Sequence, residues 1–144
     1  MLFRSSKTES TGIIHRLNAK ALAFGSDAQK PSILITVDLL GIPANITSKL
    51  TGQLSAKIGI DPSQLVICAS HTHGGPDLGS TLNILQSRGD HFSDSLLAVD
   101  QLVRIAEYTI QLSQKLQQVA LEAMKNRKPS LGREIGRASC RERV

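Results

Sequence analysis

The chain has few aromatic side chains. Its 144 residues include no Trp, one Tyr and three Phe: Tyr108, Phe3, Phe24 and Phe92. Proteins that bind single-stranded nucleic acid stack bases on aromatic rings beside a basic groove, whereas here the Lys and Arg residues are scattered along the chain. We therefore expect no nucleic-acid partner.

Long apolar runs are also lacking. A membrane-spanning helix needs about 20 consecutive apolar residues, but Asp38 interrupts the stretch at residues 33–40, and charges or amides interrupt the others. The first residues turn polar at Arg4, too early for the apolar core of roughly 7–15 residues in a secretory signal. We expect no transmembrane segment and no signal peptide here, so that the protein is either cytoplasmic or begins upstream of Met1.

The last eleven residues have an unusual sequence. Residues 134–144 read Glu-Ile-Gly-Arg-Ala-Ser-Cys-Arg-Glu-Arg-Val and match one reading frame of a common sequencing adapter. We interpret them as a non-native tail and residues 1–133 as part of a single domain. The alternative is a natural basic tail that binds nucleic acid or acidic lipid.

Excluding this tail changes the charge and the cysteine count. Residues 135–144 hold three arginines and one glutamate, and so contribute +2 to the net charge of +5. Of the two cysteines, Cys140 lies in the tail. Cys68 then has no disulfide partner, and its apolar neighbours predict a small buried core residue.

Apolar patterns predict an α/β fold with a mixed sheet. Residues 19–24 alternate small or apolar residues with others, and turn-forming residues at 25–31 connect them to a strand at 32–38, which predicts a hairpin. The second strand is almost continuously apolar, which is typical of a central strand buried on both faces.

A parallel unit follows the hairpin. A helix is predicted from Ala44 to Ile58, with Gly59 as its C-cap, and a strand from Leu65 to Ala69. Such a β-α-β unit pairs its strands in parallel with a right-handed crossover. Ligands bind outside the carboxyl ends of strands in these sheets, where Asp38 and His71 are expected.

The C-terminal third predicts a long amphipathic helix. Ser93 or Asp94 can cap it, Pro129 follows it, and Lys and Arg near residue 128 complement its dipole. Residues 79–92 are polar and predict a loop over the site. The helix should pack on the sheet through an apolar stripe: Leu102, Ala106, Ile110, Leu116, Val119, Ala120, Ala123 and Met124.

The run Ser-His-Thr-His-Gly-Gly-Pro at residues 70–76 is the strongest functional signal. Residues i and i+2 on an extended backbone point to one side, so His71 and His73 should face together. Imidazole is a common zinc ligand, and the two glycines leave room for a ligand to approach the backbone. These residues predict a metal-dependent hydrolase, and the alternative is a pair of ordinary loop histidines.

Two other metal-dependent classes fit less well. A metallo-β-lactamase site needs an Asp two residues after the second His, where Gly75 stands and the nearest Asp is Asp77. A barrel amidohydrolase needs many further βα repeats, and it lacks the Gly-Gly-Pro continuation.

The order of these segments resembles the N-terminal part of the neutral/alkaline, non-lysosomal ceramidase family. The resemblance spans about residues 11–132 and rests on four stretches, with Gly74 as a mild departure from the family's pattern. The stretches are residues 15–22, 36–43, 68–76 and 108–123.

The resemblance implies a zinc-dependent amidase that hydrolyses the N-acyl bond of ceramide or a related N-acyl lipid. His71 would be the Zn²⁺ ligand and His73 the adjacent catalytic residue, while the other ligands (His, Glu and Tyr) and a Ser would lie downstream of this chain. Asp38 would either orient a ligand histidine or cap its turn. His15 and His91 are expected to be solvated loop histidines.

The resemblance also has implications for the whole protein. It implies a secreted or periplasmic enzyme that can contact a membrane surface peripherally, of which this chain is a fragment, inactive alone. The core should be unfinished, with one sheet face lacking partners. The alternative is a non-catalytic binding or structural module of the same fold.

Overall fold

Three strands and two helices form the described part of the molecule, a computed structural model that describes residues 12–76, 78 and 99–129. The strands lie side by side in the order β1-β2-β3. This is the predicted α/β fold, with β1 Ala19–Phe24, β2 Ser32–Val37, α1 Ala44–Ile58, β3 Leu65–Ala69 and α2 Val99–Lys125.

The predicted hairpin is confirmed. Strands β1 and β2 pair antiparallel from Ala19 opposite Val37 to Phe24 opposite Ser32. The connecting loop begins at Gly25, whose φ of 105° is one that L side chains rarely adopt, and a Cβ there would lie 3.3 Å from the Cα of Pro31. Glycine is therefore the residue that fits this turn.

The parallel unit is also confirmed. Helix α1 ends where predicted, because Gly59 adopts the left-handed conformation at φ 69° and donates its N–H to the Ser55 carbonyl at 2.9 Å. Strand β3 then pairs parallel with β2, with Val37 opposite Ala69. The chain therefore leaves β2 and β3 at the same edge of the sheet.

The inner face of the sheet packs against both helices. Alternation along the strands places Ala21, Ile35 and Ile67 in one row on this face. Strand β1 presents only alanines there, which allows α2 to approach closely. The buried core is a single cluster: Ile33, Ile35, Val37, Leu39, Ile46, Leu50, Leu54, Ile60, Leu78, Leu112, Leu116 and Ala120.

The outer face of the sheet carries an exposed apolar row. Leu22, Leu34 and Val66 are register partners across all three strands, and Leu22 and Val66 are 58% and 51% exposed. The prediction that β2 is buried on both faces is therefore wrong, since Thr36 is exposed and Leu34 only half-buried. The buried residues of both helices join the core on the inner face, so that β2 is central but covered on one side.

Cys68 lies on this outer face and is exposed, so the prediction of a buried core cysteine is wrong. Its neighbours Ile67 and Ala69 point inward, and alternation turns Cys68 outward beside Thr36. The apolar composition of β3 gave no indication that its two faces differ in exposure.

We expect the Cys68 thiol to react in the folded protein. In the Cys140→Ser variant, a disulfide reagent should label Cys68 about as fast in buffer as in denaturant, because its thiol is exposed. A buried thiol would be labelled only after unfolding. The Cys68→Ser variant, which keeps Cys140, gives the labelling rate of Cys140 for comparison. Labelling of Cys68 only after denaturant is added would contradict the exposed position.

The long helix packs with a shorter apolar face than predicted. Leu116 and Ala120 are buried, and Val119, Ala123 and Met124 are partly buried, but Leu102, Ala106 and Ile110 are exposed. A helix of 27 residues is about 40 Å long, roughly twice the length of a six-residue strand. The sheet therefore covers only its C-terminal part, where Leu112 and Ser113 are also buried.

The end of α2 is tied to the first hairpin by Arg127. Its guanidinium donates to the Gly25 carbonyl at 3.0 Å and to an Asp27 carboxylate oxygen at 2.5 Å. Its Nε also donates to the carbonyl of Met124 in the last helical turn, a group left without a helical partner. We call these contacts the Arg127 clasp.

Several expectations fall on residues outside the described ranges. They concern the loop at 79–92 with His91, the helix cap at Ser93 or Asp94, and the tail at 134–144. Within the described ranges, neither helix is long and apolar enough to cross a membrane.

Candidate functional site

The candidate site is formed by two loops that leave the same edge of the sheet. The first follows β2 at residues 38–43, and the second follows β3 and carries both histidines. A backbone hydrogen bond joins the second loop to the end of β2, since the Ser70 N–H donates to the Val37 carbonyl at 3.0 Å. The prediction that Asp38 and His71 stand at the ends of neighbouring parallel strands is confirmed.

His71 has an uncommon backbone conformation. Its φ is 60°, in the left-handed region, which costs a residue other than glycine about 1–2 kcal/mol. The prediction of an extended backbone through both histidines is therefore wrong at His71, because β3 ends two residues earlier at Ala69. Strained residues of this kind cluster at functional sites.

The His71 imidazole is held by one hydrogen bond. Its Nδ1 lies 2.9 Å from the carbonyl oxygen of Leu40. A carbonyl oxygen can only accept, so Nδ1 carries the proton of this hydrogen bond. In the neutral ring Nε2 then presents its lone pair, the arrangement usual for metal-binding histidines.

His73 lies beside His71. The two ring centroids are 5.4 Å apart with an interplanar angle of 79°, and both residues are exposed. Two imidazoles bound to one tetrahedral zinc, each with a Zn–N bond of about 2.0–2.1 Å, would hold their ring centres roughly 5 Å apart. The centroid separation is compatible with two ligands of one cation, and it is equally that of an ordinary edge-to-face ring pair.

The two glycines after the histidines have different surroundings. A Cβ on Gly74 would have only the Thr72 hydroxyl oxygen near it, at 3.7 Å. A Cβ on Gly75 would make ordinary contacts with Leu39, Asp38 and Leu17 at 3.6–3.7 Å. An added Cβ would therefore fit at both positions. Neither glycine has a positive φ.

Asp38 bonds to the backbone and side chain of a residue before β1. Its Oδ2 accepts from the Asn18 N–H at 3.0 Å and from the Asn18 side-chain amide at 3.3 Å, and its own N–H donates to the Asn18 carbonyl at 2.9 Å. The Asn18 hydrogen bonds, backbone first, hold the pKa of the Asp38 carboxyl below its usual range, with smaller contributions from Ser70 and Lys20. These contacts join Asp38 to the residue before β1 and not to the turn after β2, so they were not predicted, and neither of the two predicted roles is tested by them.

Two histidines alone do not complete a metal shell. Within residues 12–76, 78 and 99–129 there is no cluster of three or more His, Cys, Asp or Glu side chains that could hold a metal ion. His15 is exposed, as predicted for a solvated loop histidine. Imidazole nitrogens are donors that zinc accepts, but two of them are fewer than the three or four protein ligands of a zinc site.

Three hydrogen-bonding partners in this site were not predicted from the sequence. They are Asn18 for Asp38, the Ser70 N–H for the Val37 carbonyl, and the Leu40 carbonyl for His71. The hairpin register could have indicated Asn18, because pairing Ala19 with Val37 places Asn18 next to Asp38. A backbone carbonyl has no side-chain signature, so that nothing in the pattern marks Leu40.

Comparison with known proteins gives no relative. No protein-family model, no curated protein and no solved structure matches the chain.

Proposed function

We propose that this chain is the N-terminal part of the catalytic domain of a zinc-dependent amidase similar to the neutral ceramidases. The observation that carries the proposal is the hydrogen bond between His71 Nδ1 and the Leu40 carbonyl, because it leaves Nε2 able to bind a metal ion. The Ser-His-Thr-His-Gly-Gly-Pro segment supports the family assignment.

In this proposal His71 is the metal ligand. The Leu40 carbonyl fixes its tautomer, and its backbone has a φ of 60° just after the chain leaves β3. Zinc would supply Lewis acidity, polarising an amide carbonyl and acidifying water. The remaining ligands and the Ser belong to residues downstream of this chain.

His73 is the proposed catalytic residue of the chain. Its ring lies edge-on to His71 at 5.4 Å, within reach of a substrate held at the same point. A neutral or protonated imidazole N–H there donates a hydrogen bond to the oxygen of the amide carbonyl as negative charge develops on it. This role needs an accessible ring, and His73 is exposed.

The proposed substrate is the N-acyl amide of ceramide or a related lipid. This class follows from the resemblance, which also supports peripheral contact with a membrane surface in the whole protein. The products would be a fatty acid and a sphingoid base.

The proposal is tested on the polypeptide encoded by the reading frame that continues past Gly132. We expect this longer protein to contain one zinc ion, measured by elemental analysis, and to hydrolyse a fluorescent N-acylsphingosine. Residues 1–134, assayed in parallel, should bind zinc weakly and show no turnover. A longer protein without zinc would overturn the metal assignment, and turnover by residues 1–134 would overturn the assignment as a fragment.

A further inference from the structure

The outer face of the sheet is apolar across all three strands. Alternation turns every second residue of a strand toward this face, and Leu22, Leu34 and Val66 form its middle row. Phe24 extends the apolar surface along β1 and is 54% exposed. Among the outward residues of the three strands only Lys20, at one corner of the face, is charged.

This face differs from the solvated side of an ordinary sheet. Antiparallel sheets with one wet face carry polar residues there, in alternation with the apolar residues of the core. On β1 the outward Leu22 and Phe24 alternate instead with inward alanines, so that the larger apolar side chains point away from the described core. Parallel pairs such as β2–β3 are typical of sheets that helices cover on both faces. The residues of the outer face therefore suit a second covering layer, whereas both described helices pack on the inner face.

The size of the face indicates what can cover it. Three strands about 4.8 Å apart and roughly 20 Å long present a surface of about 300 Å². A stable contact between two copies of a protein buries roughly 800 Å² on each partner, so this face alone is too small for a dimer. An α-helix is about 10 Å wide, and three to four turns span about 20 Å. One helix therefore matches both dimensions of the face.

We propose that one amphipathic helix of the polypeptide that continues past Gly132 packs on the outer face, with its apolar stripe over Leu22, Leu34 and Val66. The inference rests on the proposed function in one respect, which is that the chain is the N-terminal part of a larger domain. The sheet is then the middle of three layers, with α1 and α2 on one side and the downstream helix on the other.

Cys68 can report whether the face is covered. Its thiol lies on this face beside Thr36 and is exposed, so a disulfide reagent should label it rapidly in the 144-residue chain. In the longer polypeptide we expect labelling about 100-fold slower, because a covered thiol reacts only when its cover opens. Mass spectrometry of the peptide that contains Cys68 separates this thiol from any other. Equal rates in the two folded proteins would overturn the proposal.

Leu22→Lys tests whether the cover contacts the face. Leu22 is 58% exposed in the described structure, so in the 144-residue chain the lysine is solvated and the urea midpoint should change little. In the longer polypeptide the ammonium would lie under the helix without a partner, and labelling of Cys68 should return towards the faster rate. Leu102→Lys is the matched control, since Leu102 is 50% exposed on α2, and Cys68 should stay protected. Protection that persists in Leu22→Lys would overturn the proposal.

A cross-link identifies the kind of element that covers the sheet. A photoreactive phenylalanine analogue at position 24 of the longer polypeptide keeps an aromatic ring on the outer face. We expect it to mark downstream residues three or four positions apart, which share one side of a helix. Marks on alternate residues would indicate a strand of a second sheet and would overturn the proposal.

The zinc content of the longer polypeptide separates this proposal from the proposed function. If Cys68 is protected but no zinc is bound, the function fails and the covering helix stands. If zinc is bound while Cys68 reacts as fast as in the 144-residue chain, the covering helix fails and the function stands. Protection that appears in the 144-residue chain as its concentration rises would indicate a second copy on this face and overturn the proposal.

Discussion

Replacing Leu116 with alanine should destabilise the protein by about 2–5 kcal/mol, the range for removing a buried leucine side chain from a core. Leu116 is 0% exposed and lies in the cluster that joins α2 to the sheet and to α1. The free energy of unfolding of a domain is only about 5–15 kcal/mol. This single substitution should therefore remove a large part of it. Urea unfolding followed by far-UV circular dichroism measures it.

Leu102→Ala provides the matched control. It makes the same chemical change in the same helix, but Leu102 is 50% exposed, and we expect a cost within about 0.5 kcal/mol. Equal losses of stability in the two variants would show that α2 is not seated on the sheet through Leu116. A protein already unfolded in Leu116→Ala would agree with the prediction, provided that Leu102→Ala remains folded.

Replacing His71 in the longer polypeptide should abolish zinc binding and amide hydrolysis. Loss of a ligand should weaken metal binding by more than the about 10–100-fold that follows loss of an orienting partner. His71→Asn is the informative variant because asparagine tolerates a positive φ better than most residues, which limits backbone effects. Elemental analysis and turnover of N-acylsphingosine are the measurements.

His15→Ala is the control for a general effect of losing a histidine. His15 is also exposed and lies in the loop before β1, so zinc content and activity should be retained. His73→Ala should reduce turnover while zinc is retained, if His73 acts on the substrate rather than on the metal. Full activity and zinc content in His71→Asn would remove the basis of the functional proposal.

The positions of the elements could be predicted from the sequence because local signals agree with the fold. The bounds of β1, α1 and β3 were predicted correctly, since turn residues and Gly59 mark their ends. The parallel pairing of β2 with β3 follows from the intervening helix. These features depend on short stretches of chain and on the direction of the connection.

Which faces are buried could not be predicted in the same way. The apolar composition of Leu34 and Cys68 suggested burial on both sides of the sheet, but both described helices pack against one face. Ile110 fits the helical period yet is 55% exposed, because periodicity does not tell how far the sheet extends along a helix. These outcomes are set by tertiary packing.

The candidate site was predicted in part. The sequence placed His71 and Asp38 at neighbouring strand ends, and the structure agrees. The φ of 60° at His71 and its hydrogen bond to the Leu40 carbonyl depend on how two loops meet. A contact made by a backbone atom of a residue distant in sequence cannot be predicted from the pattern of side chains.

The Arg127 clasp has a consequence for how the chain is made. It joins residues about 100 positions apart, and the helix that covers the alanines of β1 is the last described element to leave the ribosome. During translation the apolar surfaces of the β1–β2 hairpin therefore remain exposed to water until that helix has emerged. Such late, long-range closure slows folding and prolongs exposure to aggregation, so that a chaperone bound to the nascent hairpin would raise the yield of folded protein.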